Sequence, residues 1–244
     1  MSTRGDDNLP ILQLLPNAVT ILALCAGLTS IRYAMEGHFD LAAVLIVLAA
    51  VLDGMDGTLA RRLDATSTIG AELDSLSDFL AFGVAPALLV FRFAQGDAQG
   101  FGWAFVLVYA ICACLRLARF NVNRDTPPSG RAVFIGVPSP GGALLALIPL
   151  FLAQARILDV SAYPQIVGGW LALTGLLMAS RVPTPSSKAI RVKREYARFV
   201  LVGLAGVIGL AITRFWLLMV VLSLCYALII AAAVLRHVLR HRRL

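Results

Sequence analysis

The stretch Asp53-Gly54-Met55-Asp56-Gly57-Thr58-Leu59-Ala60-Arg61, followed after a short spacer by Gly70-Ala71-Glu72-Leu73-Asp74-Ser75-Leu76-Ser77-Asp78, decides the fold. It sets four aspartates at the end of one apolar run and the start of the next. Asp53 and Asp56 are i, i+3; Asp74 and Asp78 are i, i+4, so each pair lies on one helix face. An aspartate within a membrane span costs roughly 2.5–3.5 kcal/mol on insertion scales. Four at helical spacing need a compensating ligand.

Working outward, the chain around this stretch reads as membrane. Of its 244 residues, 59% are hydrophobic and 14% charged, against about 25% charged in a typical soluble domain. Mean hydropathy is +0.83, and several apolar runs reach the roughly 20 residues a spanning helix needs. The net charge of +7 fits basic residues gathered in cytoplasmic loops better than nucleic-acid binding. The basic clusters are Arg61-Arg62, Lys188 to Arg198 and Arg236 to Arg243. Cys25, Cys112, Cys114 and Cys225 lie in apolar segments without C-x-x-C spacing, which gives neither a zinc site nor a disulfide framework.

The expected architecture is all-α: a polytopic membrane helical bundle of about eight transmembrane helices in a single domain, 1–244. Residues 1–15 form a cytoplasmic segment, with a short interfacial helix over Leu9 to Leu15. Pro16-Asn17 opens the first span, which runs to about Met35, and Asn17 stands as its N-cap or contacts substrate. No removable signal peptide is read, since the first apolar run lacks a basic flank and a small-residue cleavage site. The polar turn Glu36 to Asp40 leads to a second span, Leu41 to Leu63. Thr66 or Ser67 caps a third, which runs to about Phe93 and is kinked by Pro86. A fourth covers about Phe101 to Phe120. After a loop over Asn123 to Val133, a fifth covers Val137 to Ala155 and a sixth Ile166 to Ala179. Thr213-Arg214 divides Phe199 to Leu235 into a seventh and an eighth, ahead of a basic tail. With both termini cytoplasmic, only Arg32, Arg92, Arg156 and Arg214 of the 21 basic residues fall outside. The aspartates then lie at the cytoplasmic end of spans two and three.

Spans two and three are antiparallel neighbours, so their aspartate pairs can face each other. Four converging carboxylates repel unless protons or cations neutralise them. Hard oxygen ligands suit Mg²⁺, Mn²⁺ or Ca²⁺, and four can hold two ions at the roughly 3.5–4 Å spacing that clamps phosphoryl oxygens. Gly57 and Ala60 continue the surface that carries Asp53 and Asp56, and Gly70 lies one turn before Asp74. These small residues leave room for a flat ligand such as a nucleotide. Arg61 adds a fixed cation for a phosphate. Together these features read as a pyrophosphate-handling site.

Asp53, Asp56, Gly57, Ala60, Arg61, Gly70, Asp74 and Asp78 fill D-x2-D-G-x2-A-R-x8-G-x3-D-x3-D without departure. This resembles the signature of the CDP-alcohol phosphotransferases. The resemblance implies a membrane-embedded transferase that releases CMP from a CDP-linked lipid or alcohol. It implies divalent-metal binding by Asp53, Asp56 and Asp74, with Asp78 as general base and further ligand. Asp56, Gly57, Ala60, Arg61 and Gly70 would line the CDP site. A homodimer is implied as well.

Beyond the motif, several stretches are similar to the bacterial phosphatidylserine synthases of that family. They are Pro16-Asn17-Ala-Val-Thr20, Gly83-Val-Ala-Pro86-Ala, Arg116-Leu-Ala-Arg119-Phe-Asn121 and Gly136-Val-Pro138-Ser139-Pro140. The resemblance covers roughly the first 150 residues of the chain. It implies CDP-diacylglycerol and L-serine as substrates and the cytoplasmic membrane of a bacterium as location. Arg116 and Arg119, i, i+3 on span four and clustered with Asn121, can hold the lipid phosphate or the serine carboxylate, with Asn17 a further candidate for substrate contact; the plainer role for the arginines is snorkelling. Glycerol 3-phosphate, inositol phosphate and choline are the rival acceptors. A cation- or proton-coupled transporter is the rival from another class, but it has no need of the glycine and arginine spacing. His38, His237 and His241 form no H-x-K pair, and there is no G-x-S-x-G or Walker A loop.

Overall fold

The computed structural model describes residues 11–63, 67–95, 102–122, 134–160, 162–180, 183–184 and 197–241. The polar N-terminal residues, the expected loop at 123–133 and the basic stretch at 185–196 lie outside the described residues. The described residues are almost all helical, one of the two forms that satisfy backbone hydrogen bonds in lipid. Among the described residues, four helices are long and apolar enough to cross a membrane: Leu14–Met35, Thr68–Ala94, Gly102–Val122 and Phe215–Arg236. Leu22, Val51, Ile111 and Leu228 each expose about half or more of their surface. That outward apolar surface belongs to a membrane protein, in which lipid covers what water could not. The contacts within the chain fall into two compact units, Met1–Leu89 and Val90–Leu244.

In the first unit, α1 (Ile11–Met35) and α2 (Phe39–Arg62) form a helical hairpin. The turn closes through Gly37, whose φ of +82° lies in the left-handed region that glycine adopts without strain. Ala23, Ala26 and Ala34 of α1 are buried, as are Ala42, Ala43 and Ala49 of α2. Small side chains of this kind let the two backbones approach. Ser30 Oγ donates to the Ala42 carbonyl over 2.8 Å. Helix α3 (Thr68–Asp78) is N-capped by Ser67, which accepts the Gly70 N–H over 3.0 Å. It passes through a π-helical turn, Phe79–Val84, into α4 (Ala85–Gln95), within which the two units divide.

The interfacial helix over Leu9–Leu15 is not a separate element: from Ile11 the chain runs in one helix to Met35 with Pro16 inside it. Pro16 is the sixth residue of α1 and lacks the N–H that would reach the Leu12 carbonyl, a loss of one hydrogen bond that the helix carries without ending. Asn17 is therefore a helix-interior residue and not an N-cap. The kink assigned to Pro86 takes the form of the π-helical turn just before it. There the Ala85 N–H reaches back five residues to the Leu80 carbonyl, a common form of local widening.

In the second unit, α5 (Gly102–Val122) packs along α8 (Pro164–Ala179). A Cβ on Gly175 would stand 2.8 Å from the Tyr109 Cα, so glycine permits the close approach. The expected fifth span is broken at Leu147 into α6 (Ser139–Ala146) and α7 (Ile148–Gln154). Pro149 has no N–H for the Leu145 carbonyl. Trp170 Nε1 of α8 donates to that carbonyl instead, over 2.7 Å. Arg214 alone separates α9 (Ala197–Thr213) from α10 (Phe215–His241), where the sequence divided them. Trp216 of α10 stacks on Phe151 of α7 with ring centroids 6.3 Å apart. One short antiparallel pairing joins β1 (Phe134–Ile135) to β2 (Pro183–Thr184).

A carboxylate cluster on a three-helix frame

The first unit builds the site from three helices. Asp53 and Asp56 lie near the C-terminal end of α2, and Asp74 lies in the second turn of α3. Their carboxylate oxygens come within 4.8 Å of one another. Asp56 is buried at 5% exposure, while Asp53 and Asp74 are half-buried. Three like charges this close, one of them out of water, repel strongly unless a cation or protons intervene. Hard oxygens from three carboxylates are a donor set for a divalent cation such as Mg²⁺, Mn²⁺ or Ca²⁺. The residues present fit the metal that the sequence calls for. Asp78, one turn further on and the last residue of α3, is half-buried and stands outside this trio.

The third helix frames the cluster. Thr20 of α1 donates its hydroxyl to Asp56 Oδ2 over 2.8 Å. Ser77 Oγ donates to the Thr20 carbonyl over 3.3 Å. The half-buried Asn17 lies against α3: a Cβ on Gly70 would stand 2.7 Å from Asn17 Oδ1 and 2.9 Å from Ser67 Oγ. Gly70 thus lets α3 seat against α1. Gly57 differs, since a Cβ there would meet nothing within 4 Å. The surface next to Asp56 is open, as a ligand groove requires. Ala60 flanks it half-buried, and Arg61 is exposed at the end of α2.

The remaining candidates lie in the second unit. Arg116 Nη1 of α5 donates to Ser139 Oγ at the start of α6. This joins two of the stretches that stood out in the sequence, and Ser139 is 1% exposed. Arg119 Nη1 donates to the Ala179 carbonyl over 2.6 Å, satisfying the last residue of α8. Asn121 is half-buried five residues beyond Arg116. Thr20, Ser77 and Ser139 were assigned no role by sequence reasoning. The available signal for Thr20 was a hydroxyl in an apolar helix, three residues after Asn17 and on its face.

The model of the CDP-alcohol phosphatidyltransferase family matches residues 13–181. The chain belongs to this family. Among its relatives, the CDP-diacylglycerol–serine O-phosphatidyltransferase of Mycobacterium tuberculosis (strain ATCC 25618 / H37Rv) is 39% identical over 220 residues, covering 88% of this chain and 76% of that protein. A protein of the same name from Helicobacter pylori (strain J99 / ATCC 700824) is 36% identical over 191 residues, covering 78% of this chain and 79% of the relative. A third, from Bacillus subtilis (strain 168), is 34% identical over 146 residues, 60% of this chain and 80% of the relative. Membership of the CDP-alcohol phosphatidyltransferase family makes the chain a transferase and gives the aspartate trio its chemical setting. Divalent metals serve the family generally.

Proposed function

We propose that this transferase moves the phosphatidyl group of CDP-diacylglycerol to the hydroxyl of L-serine, giving phosphatidylserine and CMP. The observation that carries the reading is the convergence of Asp53, Asp56 and Asp74 within 4.8 Å, in a chain that holds every fixed position of the family signature. The names of the relatives support serine as acceptor.

In this reading Asp53, Asp56 and Asp74, with Asp78 as a further ligand, hold two divalent ions, Mg²⁺ or Mn²⁺. Bound there, the ions supply charge neutralisation for the diphosphate. Gly57 and Ala60 leave room for the cytidine, Gly70 lines the CDP site by seating α3 against α1, Arg61 pairs with phosphate, and Asp56 borders the groove. Asp78 takes the proton of the serine hydroxyl. The serine oxygen bonds to the β-phosphorus, and the bond from that phosphorus to the oxygen of CMP breaks. Positioning and electrostatics carry most of the acceleration. Arg116, Arg119 and Asn121 hold the serine carboxylate or the lipid phosphate, and Asn17 adds a polar contact. The reading includes a single catalytic domain, about eight spans in the cytoplasmic membrane of a bacterium, an active site and both termini facing the cytoplasm, and a homodimer.

The test uses purified protein with CDP-diacylglycerol, Mn²⁺ or Mg²⁺, and a panel of labelled alcohols: serine, glycerol 3-phosphate, inositol phosphate and choline. Metal-dependent formation of phosphatidylserine with stoichiometric CMP is expected. Failure to convert serine sinks the acceptor assignment. Absence of CMP release with every acceptor sinks the reaction class.

A further inference from the structure

Thr20 lies outside the aspartate motif, yet it is tied to both helices that carry it. It is 5% exposed in α1, and so is its partner Asp56 in α2. Its hydroxyl stands 2.8 Å from Asp56 Oδ2 and 3.1 Å from the Pro16 carbonyl. The carbonyl four residues back is the acceptor a helical threonine ordinarily uses. The hydroxyl has one proton, and the carboxylate is the nearer acceptor and the charged one. A charge-assisted hydrogen bond is shorter and stronger than a neutral one, so the proton goes to Asp56. The other side of Thr20 is anchored too, because its own carbonyl accepts from Ser77 Oγ on α3 over 3.3 Å. One residue of α1 therefore couples the orientation of Asp56 to the seating of the helix that carries Asp74.

We infer that Thr20 is a positioning residue for cation binding: by holding Asp56 Oδ2 it keeps the Asp56 carboxylate turned toward Asp53 and Asp74. Hydrogen-bond partners of metal-ligating groups commonly act this way, and their loss costs about 10–100-fold in affinity. The inference rests on the reading that the trio binds a divalent cation. The competing role is a plain buried hydrogen bond between helices, which would affect stability alone.

The experiment titrates the detergent-solubilised full chain with Mn²⁺, follows free Mn²⁺ by its EPR signal, and records the metal-free melting temperature. Thr20→Val keeps the shape and removes the donor. It is expected to weaken Mn²⁺ binding by about 10–100-fold, with CMP release recovering as Mn²⁺ is raised to saturation. Thr20→Ser returns the hydroxyl and restores the affinity. If Thr20→Val does not fold, Thr20→Cys takes its place in the same titration, since its thiol is only a weak donor. Wild-type Mn²⁺ affinity in the donor-deficient variant overturns the inference, even if that variant melts lower. A wild-type chain that binds no Mn²⁺ overturns the cation reading and this inference with it.

Discussion

Gly57 and Gly70 both belong to the aspartate motif, but a methyl group added to each meets opposite surroundings. At Gly57 it meets nothing within 4 Å, so Gly57→Ala should leave the metal-free protein as stable as before, or more stable by about 0.5–1 kcal/mol from helix propensity. If the open surface holds the nucleotide, the same variant loses CMP release and raises the KM for CDP-diacylglycerol. Full activity would show that the groove lies elsewhere. At Gly70 the methyl lands on Asn17 Oδ1 and Ser67 Oγ. Gly70→Ala should therefore disturb the α3 cap and lower the melting temperature by the equivalent of about 1 kcal/mol. The aspartates also divide by position. Asp78 stands outside the trio, so Asp78→Asn should lower turnover by about 10²–10⁴-fold, as loss of a general base does, while Mn²⁺ affinity falls less than in Asp56→Asn. Asp56→Asn should lose the Mn²⁺ affinity itself; equal affinity losses in the two variants would remove the separate role of Asp78. The convergence of Asp53, Asp56 and Asp74 was legible in the sequence, because their spacing is local to two adjoining helices. Thr20 was not, because its partner is 36 residues away and a long-range hydrogen bond leaves no periodic trace.

Among elements, helix ends followed punctuation where polar residues interrupt apolar ones. Ser67, one of the two cap candidates, caps α3, and Arg214 of the expected Thr213-Arg214 pair divides α9 from α10. Prolines were less readable, because their effect depends on what replaces the lost hydrogen bond. Pro16 sits inside a continuous α1, Pro86 follows a π-helical turn, and Pro149 follows a break at Leu147. The Pro149 case gives a sharp test. The carbonyl it leaves behind, on the nearly fully buried Leu145, accepts from Trp170 Nε1 over 2.7 Å. Trp170→Phe keeps the aromatic bulk and strands that carbonyl, at a cost of about 1–3 kcal/mol for an unsatisfied buried acceptor. Pro149→Ala supplies a backbone N–H at the position where a regular helix would use it. The effect of Trp170→Phe should therefore shrink in the Pro149→Ala background, measured as a double-mutant cycle of thermal or denaturant stability. Strict additivity of the two would mean that the indole packs without this bond carrying weight.

At the scale of the whole molecule, charge and apolar length together argue a topology. Asymmetric loop charge orients membrane chains, and only four of the basic residues fall in turns read as external. Helix α2 gives the most direct check, because both of its ends lie among the described residues. Its 24 residues make a rod about 36 Å long at 1.5 Å per residue, longer than the roughly 30 Å hydrocarbon layer. Helix α2 is not among the four helices apolar enough to cross by composition, but with this length and as the second span of the sequence reading it sets His38, just before it, and Ser67, the N-cap of α3, on opposite sides of the membrane. The aspartate pair near the end of α2 should share the side of Ser67, where CMP is made. In a background with Cys25, Cys112, Cys114 and Cys225 replaced, His38→Cys should react in intact cells with a membrane-impermeant maleimide. Ser67→Cys should react only after the membrane is opened. The reverse pattern would put the carboxylates outside, away from cytoplasmic serine and CDP-diacylglycerol. Equal labelling of both positions in intact cells would mean that α2 does not cross at all. That outcome would remove the compartment assignment while leaving the metal and groove assignments to their own tests, because Asp53, Asp56 and Asp74 meet within the first unit whichever side it faces.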